Sequence, residues 1–287
     1  MNKESYNKPN LFLLGAAKSG TTTLYNYLTN HPDIFFSSVK EPNILCNHYS
    51  TINSIHQYLE LYNDATHALY RGDASHAYLT DPTSAKVIAS LFSESKFIVI
   101  LRNPAERAFS LFHHMLRNGY ELERNFEAAL RKEEKLINST SRIPIRKENF
   151  YNYCYFHSGK YGEQISRYLD YIEREKFLFL KFEDMIADPS KVLLQVSEFL
   201  SVRNIPMESI HSNQGTYSQF TLPELIHLKR IYNKHLPKAR FQVGIDKFFA
   251  SYFNKNSAEM SKSTYATLMM RYQEDLIILK EKTGIEF

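Results

Sequence analysis

Apolar residues in this chain come in two arrangements: short unbroken runs, and longer stretches in which they recur every three or four positions. Runs at Leu11 to Leu14, Ile34 to Ser37 and Lys96 to Arg102, with a shorter one opening at Tyr70, predict strands. The β-branched and aromatic content of the Lys96 run marks it as a central strand. The second arrangement predicts helices from Thr21 to Leu28, Ile55 to about Leu69, Pro104 to about Arg117, Ser190 to Leu200, Leu222 to Leu236 and Ser261 to Lys282. Unbroken runs suit strands covered on both faces. The expected fold class is therefore α/β: three layers around a mainly parallel sheet, with a ligand at the carboxyl ends of the strands.

Polar residues collect where the strands end. After Leu14 the chain reads Gly15-Ala16-Ala17-Lys18-Ser19-Gly20-Thr21-Thr22-Thr23, a small-residue loop entering a helix. Its backbone N–H groups and hydroxyls suit an anion held at the positive end of that helix, beside Lys18. Lys18 precedes Gly20, whereas the Walker pattern needs its lysine after a glycine, which argues against an ordinary ATPase or GTPase. Arg102 leaves the Lys96 strand just before Asn103-Pro104-Ala105-Glu106, a helix start with cap, proline and acid. Ser110 falls on the same helix face as Arg107 and the cap, so Arg102 and Ser110 can address a second phosphate. The Ile34 strand delivers Lys40-Glu41-Pro42, where the proline favours an extended Glu41. The Tyr70 strand runs into a loop, Asp73-Ala74-Ser75-His76-Ala77-Tyr78, that groups a serine, a histidine and a tyrosine. Each feature also has a plain reading: a solvated Lys18, Arg102 paired with a nearby acid, Glu41 in a surface charge pair, His76 in a structural hydrogen bond.

Composition narrows the classes. With 287 residues, 43% of them hydrophobic, the chain can build one large core, and we expect a single domain over residues 1–287, with a polar lead to residue 10 and a helical part from residue 221. A net charge of +4 and a pI near 8.8 fit an anionic ligand and fall short of a nucleic-acid footprint. Cys46 and Cys154 have neither metal-ligand nor disulfide-framework spacing, which suits a reducing, cytoplasmic setting. Leu11 to Ala17 reads as a strand in preference to a leader, and no run of 18 apolar residues suggests a transmembrane helix. The charged stretch 119–150 is expected to be a solvated helix and a loop.

Lys18-Ser19-Gly20-Thr21-Thr22 after an apolar strand resembles the 5'-phosphosulfate loop of sulfotransferases that use 3'-phosphoadenosine-5'-phosphosulfate (PAPS). The phrase Ile100-Leu101-Arg102-Asn103-Pro104-Ala105-Glu106-Arg107-Ala108-Phe109-Ser110 is similar to the family's 3'-phosphate segment. Gly159 to Gln164, then Phe177 to Met185 with Asp188-Pro189, looks like the family's later helix, strand and Glu-Asp turn. The resemblance covers roughly residues 10–220 and is closest to the bacterial and glycan-modifying branch. It implies a P-loop-like fold, transfer of a sulfuryl group from PAPS to a hydroxyl or amine of a small metabolite or saccharide, release of adenosine 3',5'-bisphosphate, and no metal. Lys18, Ser19, Gly20, Thr21, Thr22 and Thr23 would hold the 5' end. Arg102 and Ser110 would hold the 3'-phosphate, with Gly215 and Tyr217 of a late loop, in which Gln214 stands where glycan-branch relatives often have lysine. Glu41 matches the glycan-branch catalytic glutamate residue for residue, while His76 stands where that branch more often has proline; the base is one of these two, with Glu41 preferred. A kinase-like phosphotransferase and a non-catalytic nucleotide-binding module are the rival readings.

Overall fold

A computed structural model describes residues 7–47, 50–138, 150–205 and 259–287. Five strands form one sheet: β1 (Leu11–Gly15), β2 (Ile34–Phe36), β3 (Tyr70–Asp73), β4 (Lys96–Leu101) and β5 (Phe177–Lys181), in the order β2-β3-β1-β4-β5. Every pairing in it is parallel. The chain crosses to one side of β1 for β2 and β3, then returns to the other side for β4, so a topological switch lies beside β1, where parallel sheets open a crevice at their carboxyl ends.

Alternation along the strands divides the core. Phe12, Leu14, Phe97, Val99 and Leu101 point to one face, where they meet Tyr58, Tyr62, Tyr78 and Ile88, Tyr161 and Tyr168 of α7 (Tyr161–Leu169), and Leu279 of α10 (Lys262–Thr283). Leu11, Leu13, Ile98 and Ile100 point to the other, against Leu24, Tyr27 and Leu28 of α1 (Thr21–Thr29) and Val192, Leu193, Val196 and Leu200 of α9 (Pro189–Leu200). This is the three-layer α/β arrangement expected. A third cluster joins α5 (Pro104–Arg117) to α6 (Phe126–Asn138), Tyr155, Phe156 and α10.

Four local expectations need correction. The helix predicted from Ile55 to Leu69 is only α2 (Ile55–Glu60), followed by turns; the Tyr58 and Tyr62 hydroxyls reach the Asp73 carboxylate (2.7 Å) and the Gly72 carbonyl (3.2 Å). The loop after β3 is helical from Ala77, as α3 (Ala77–Thr80), and α4 (Ser84–Leu91), unforeseen, follows it. The Glu-Asp turn is the first turn of α8 (Phe182–Ala187). The acid after the Asn103 cap does not close a capping box: Asn103 Oδ1 accepts from the Ala105 and Glu106 amides, but the Asn103 N–H donates to Glu183 Oε1 (2.9 Å), and Glu106 turns to Arg102. The helices predicted at Leu222 to Leu236 lie outside the described residues, as do Gly215, Tyr217 and Gln214.

Candidate active site

The turn after β1 is shaped by two residues in the left-handed region, Lys18 (φ 68°) and Gly20 (φ 85°). At Gly20 a side chain is excluded twice over, by the backbone angle and by the Phe182 ring, which lies 2.9 Å from where a Cβ would sit. Gly20 is also the N-cap of α1, and no side chain caps that helix, so its positive end opens onto the turn. The Ser19 hydroxyl is fully buried against the Tyr161 phenol, which itself donates to the Arg102 carbonyl (3.0 Å). Thr22 Oγ1 accepts from Lys40 Nζ at 3.3 Å, tying the segment after β2 to the turn.

Lys18 Nζ lies 3.5 Å from His114 Nδ1. Burial, then the charges of Arg117 and Arg102, bring the Lys18 ammonium down to about 8. His114 is lowered to about 4 by burial and by Lys18 and Arg117, so at neutral pH it is uncharged and accepts from the ammonium. Three cationic side chains thus influence one another around an open helix start, an arrangement that favours a bound anion. Arg102 leaves β4 as expected, packs its guanidinium over the Phe182 ring (5.0 Å) and pairs with the half-exposed Glu106 at 3.1 Å. Ser110 is buried on α5. Arg107, fully buried, donates to the Tyr155 carbonyl, which makes it a fastener of α5 to the core and leaves Arg102 as the cation at the strand end.

Glu41 Oε1 lies 3.2 Å from His76 Nδ1, and His76 Nε2 lies 3.2 Å from Asn152 Oδ1; both Glu41 and His76 act on His114. The two candidate bases are therefore one hydrogen-bonded pair. Glu41 is not extended, as Pro42 alone would have it: its φ is 57° and that of Asn43 is 54°. This left-handed turn is held by Asn43 Nδ2 donating to the Glu41 carbonyl (2.7 Å) and by the Asn43 N–H donating to Ser75 Oγ (3.2 Å), and Ser75 in turn donates to Asp73 Oδ1 (2.6 Å). Asp73 also accepts from the Tyr58 and Tyr78 hydroxyls, so the Glu41 turn is moored to the buried end of β3. Burial is the largest influence on Glu41 and works to raise its carboxyl, yet the His76 charge and hydrogen bond, with Lys40 and His114, outweigh it and bring the carboxyl below its ordinary value. For His76 burial works downward, but Glu41 and the Asn152 hydrogen bond carry the ring above its ordinary 6.5.

The structure thus brings Lys18, Ser19, Thr22, Glu41 and His76 together at the carboxyl ends of β1, β2 and β3, with Arg102 at the end of β4. Sequence reasoning missed His114 and Asn152. A signal for His114 was present: Asn103, Arg107, Ser110, His114 and Arg117 recur at steps of four, three, four and three, a polar stripe along one face of α5. Asn152 sits in a short 3-10 turn, Phe150–Tyr153, and had no pattern to mark it. Among the described residues no group of His, Cys, Asp and Glu is arranged to hold a metal ion, and no helix is long and apolar enough to cross a membrane.

The sulfotransferase domain model matches residues 8–273. The bifunctional heparan sulfate N-deacetylase/N-sulfotransferase 1 of Caenorhabditis briggsae is 23% identical over 239 residues, 79% of this chain and 26% of that protein. The human bifunctional heparan sulfate N-deacetylase/N-sulfotransferase 3 is 28% identical over 202 residues, 68% of this chain and 22% of that protein. The chain therefore spans about a quarter of the length of these relatives. A sulfotransferase from Alicyclobacillus acidocaldarius, known from its crystal structure, is 25% identical, with a TM-score of 0.71 over 98% of this chain and 97% of that one.

Proposed function

The chain belongs to the sulfotransferase domain family and is a transferase, and from that footing we propose that it moves the sulfuryl group of PAPS to a hydroxyl or amine of a saccharide. The observation that carries this reading is Lys18, a half-buried cation brought down to about 8 at the uncapped start of α1, whose neighbour His114 also feels a carboxylate–imidazole pair. A bound phosphate would supply a counter-charge that Lys18 does not find among the described residues. The buried Ser19 hydroxyl and the open end of α1 fit the 5'-phosphosulfate, and Lys18, Gly20, Thr21, Thr22 and Thr23 would hold it with Ser19. Arg102, exchanging Glu106 for an anion, and Ser110 would hold the 3'-phosphate, with Gly215 and Tyr217 of the late loop completing that side. The donor supplies an activated sulfuryl group. Lys18 stabilises negative charge on the departing phosphate, and Glu41 removes the acceptor's proton. Saccharide is preferred as acceptor because the heparan sulfate enzymes are among the relatives. The kinase-like alternative is not favoured, because Lys18 is in the wrong order for a Walker loop.

The test has two arms. Adenosine 3',5'-bisphosphate should raise the melting temperature, while ATP with Mg²⁺ should not match it. Labelled sulfuryl should then pass from PAPS to an N-desulfated heparan-type oligosaccharide. Stabilisation by ATP-Mg²⁺ but not by the bisphosphate would overturn the reading.

A further inference from the structure

We infer that the base of this site is the Glu41–His76 unit and not the carboxylate alone, with Asn152 and His76 as positioning residues: Asn152 fixes the imidazole, and the imidazole fixes the carboxylate that meets the acceptor. The inference rests on the sulfuryl-transfer reading and deepens it.

Three separate segments converge to make the unit. Glu41 follows β2, His76 follows β3, and Asn152 lies in the 3-10 turn after α6. Asn152 Oδ1 faces Nε2 and Glu41 Oε1 faces Nδ1, each at 3.2 Å, so both ring nitrogens meet an acceptor oxygen. That environment holds a proton on each nitrogen. Among the described residues, the other charged or titratable groups acting on the pair include Lys40, on the Glu41 segment, and His114, on α5, which itself feels Lys18 and Arg117. Lys40 opposes a charged ring; Glu41 and Asn152 favour it.

While the ring carries both protons its charge neutralises Glu41, which is then a weak base. Once the Nε2 proton has left, the Asn152 amide turning its Nδ2 to that nitrogen, Nδ1–H still donates to Oε1, the carboxylate beside a neutral ring is the stronger base, and rate follows basicity. Oε1 is engaged by the ring, so Oε2 is the atom left to meet the acceptor. In the transfer step the acceptor's O–H or N–H bond breaks and its proton goes to Glu41. The acceptor–sulfur bond forms as the sulfur–oxygen bond to the 5'-phosphate breaks, and that electron pair stays on the phosphate beside Lys18.

Two measurements test this. Histidine-labelled protein followed by NMR, with His76 identified by its loss in His76→Asn, should show the ring titrating above 6.5 in the wild type. The pH profile of kcat/KM, with PAPS and the N-desulfated heparan-type oligosaccharide, should have its acid limb at the same pH. Asn152→Leu should move both to lower pH and Asn152→Asp should move both to higher pH, with bisphosphate affinity unchanged within about twofold in each. His76→Asn should send the limb toward the ordinary carboxylate range and cut turnover at pH 8 at least tenfold. Opposite movement by the two Asn152 variants is something that a merely structural side chain would not produce. A ring titrating below 6.5, or a limb unmoved by both Asn152 variants in active protein, overturns the inference. Absence of transfer in the wild type instead overturns the transfer reading and takes this one with it.

Discussion

Lys18 is held in a conflict between stability and binding. Its folded-state value of about 8 lies below the ordinary 10.5, so between these limits the unfolded chain binds the extra proton. By linkage, stability attributable to this residue rises with pH through that window and is at its lowest below pH 8, where the half-buried ammonium is charged in both states. Lys18→Met keeps much of the volume and removes the charge, so in urea titrations at pH 7 it should stabilise the ligand-free protein, by roughly 1–3 kcal/mol. The same variant should lose the melting-temperature rise with adenosine 3',5'-bisphosphate; an unchanged rise would remove Lys18 from the phosphate site. Arg102 presents a milder version. Its partner Glu106 is half exposed and the pair is worth little, so an incoming phosphate should displace it readily. Arg102→Ala should weaken bisphosphate binding by about 1.5–3 kcal/mol while barely affecting adenosine 5'-phosphate, as calorimetry would show. Equal losses for the two ligands would contradict a 3'-phosphate role.

At the level of elements, the sequence carried what depends on local periodicity and caps. The apolar runs of β1 and β4, the glycine-bearing turn between β1 and α1, and the Asn103-Pro104 start of α5 are all written in adjacent residues. What could not be read depends on partners far along the chain. Pro42 argues for an extended Glu41, but the Asn43 amide and Ser75 bend that turn into the left-handed region. Glu106 has the spacing of a capping acid, yet Glu183, from beyond β5, takes the Asn103 amide. Likewise α7 has no cap of its own. Asp275, on α10, accepts from the Gly162 and Glu163 amides at 2.9 and 2.8 Å and so serves as its cap from another helix. The contact depends on Gly162, where a Cβ would lie 2.2 Å from the Asp275 carbonyl oxygen. Gly162→Ala should therefore force the helices apart and cost about 1–3 kcal/mol, despite alanine's better helix propensity. An unfolding midpoint equal to wild type would show that α10 yields without loss.

Across the whole molecule, strand order assigns the two halves of the chemistry to opposite sides of β1. The base unit stands on the segments after β2 and β3, the candidate phosphate contacts follow β1 and β4, and His114, which feels Lys18, His76 and Glu41, links the two. An anion bound at Lys18 couples to the protonation state of the protein. In the ligand-free protein Lys18 begins to lose its proton near pH 8, and a phosphate beside it must raise that value, because the charged form gains a partner. Bisphosphate binding should then draw in protons when the pH lies between the free and bound values. Calorimetry at pH 8.5 in buffers of different ionisation enthalpy should report net uptake of about three-quarters of a proton, falling to roughly a tenth at pH 7, where Lys18 is already charged. His114, at about 4, and Lys18 are separated enough to contribute in different windows, so uptake at pH 8.5 should disappear in Lys18→Met. Affinity should correspondingly be level below pH 8 and decline above it, by at most tenfold per unit. Uptake that persists in Lys18→Met, or affinity level to pH 9.5 in the wild type, would mean that the bound anion does not meet this ammonium.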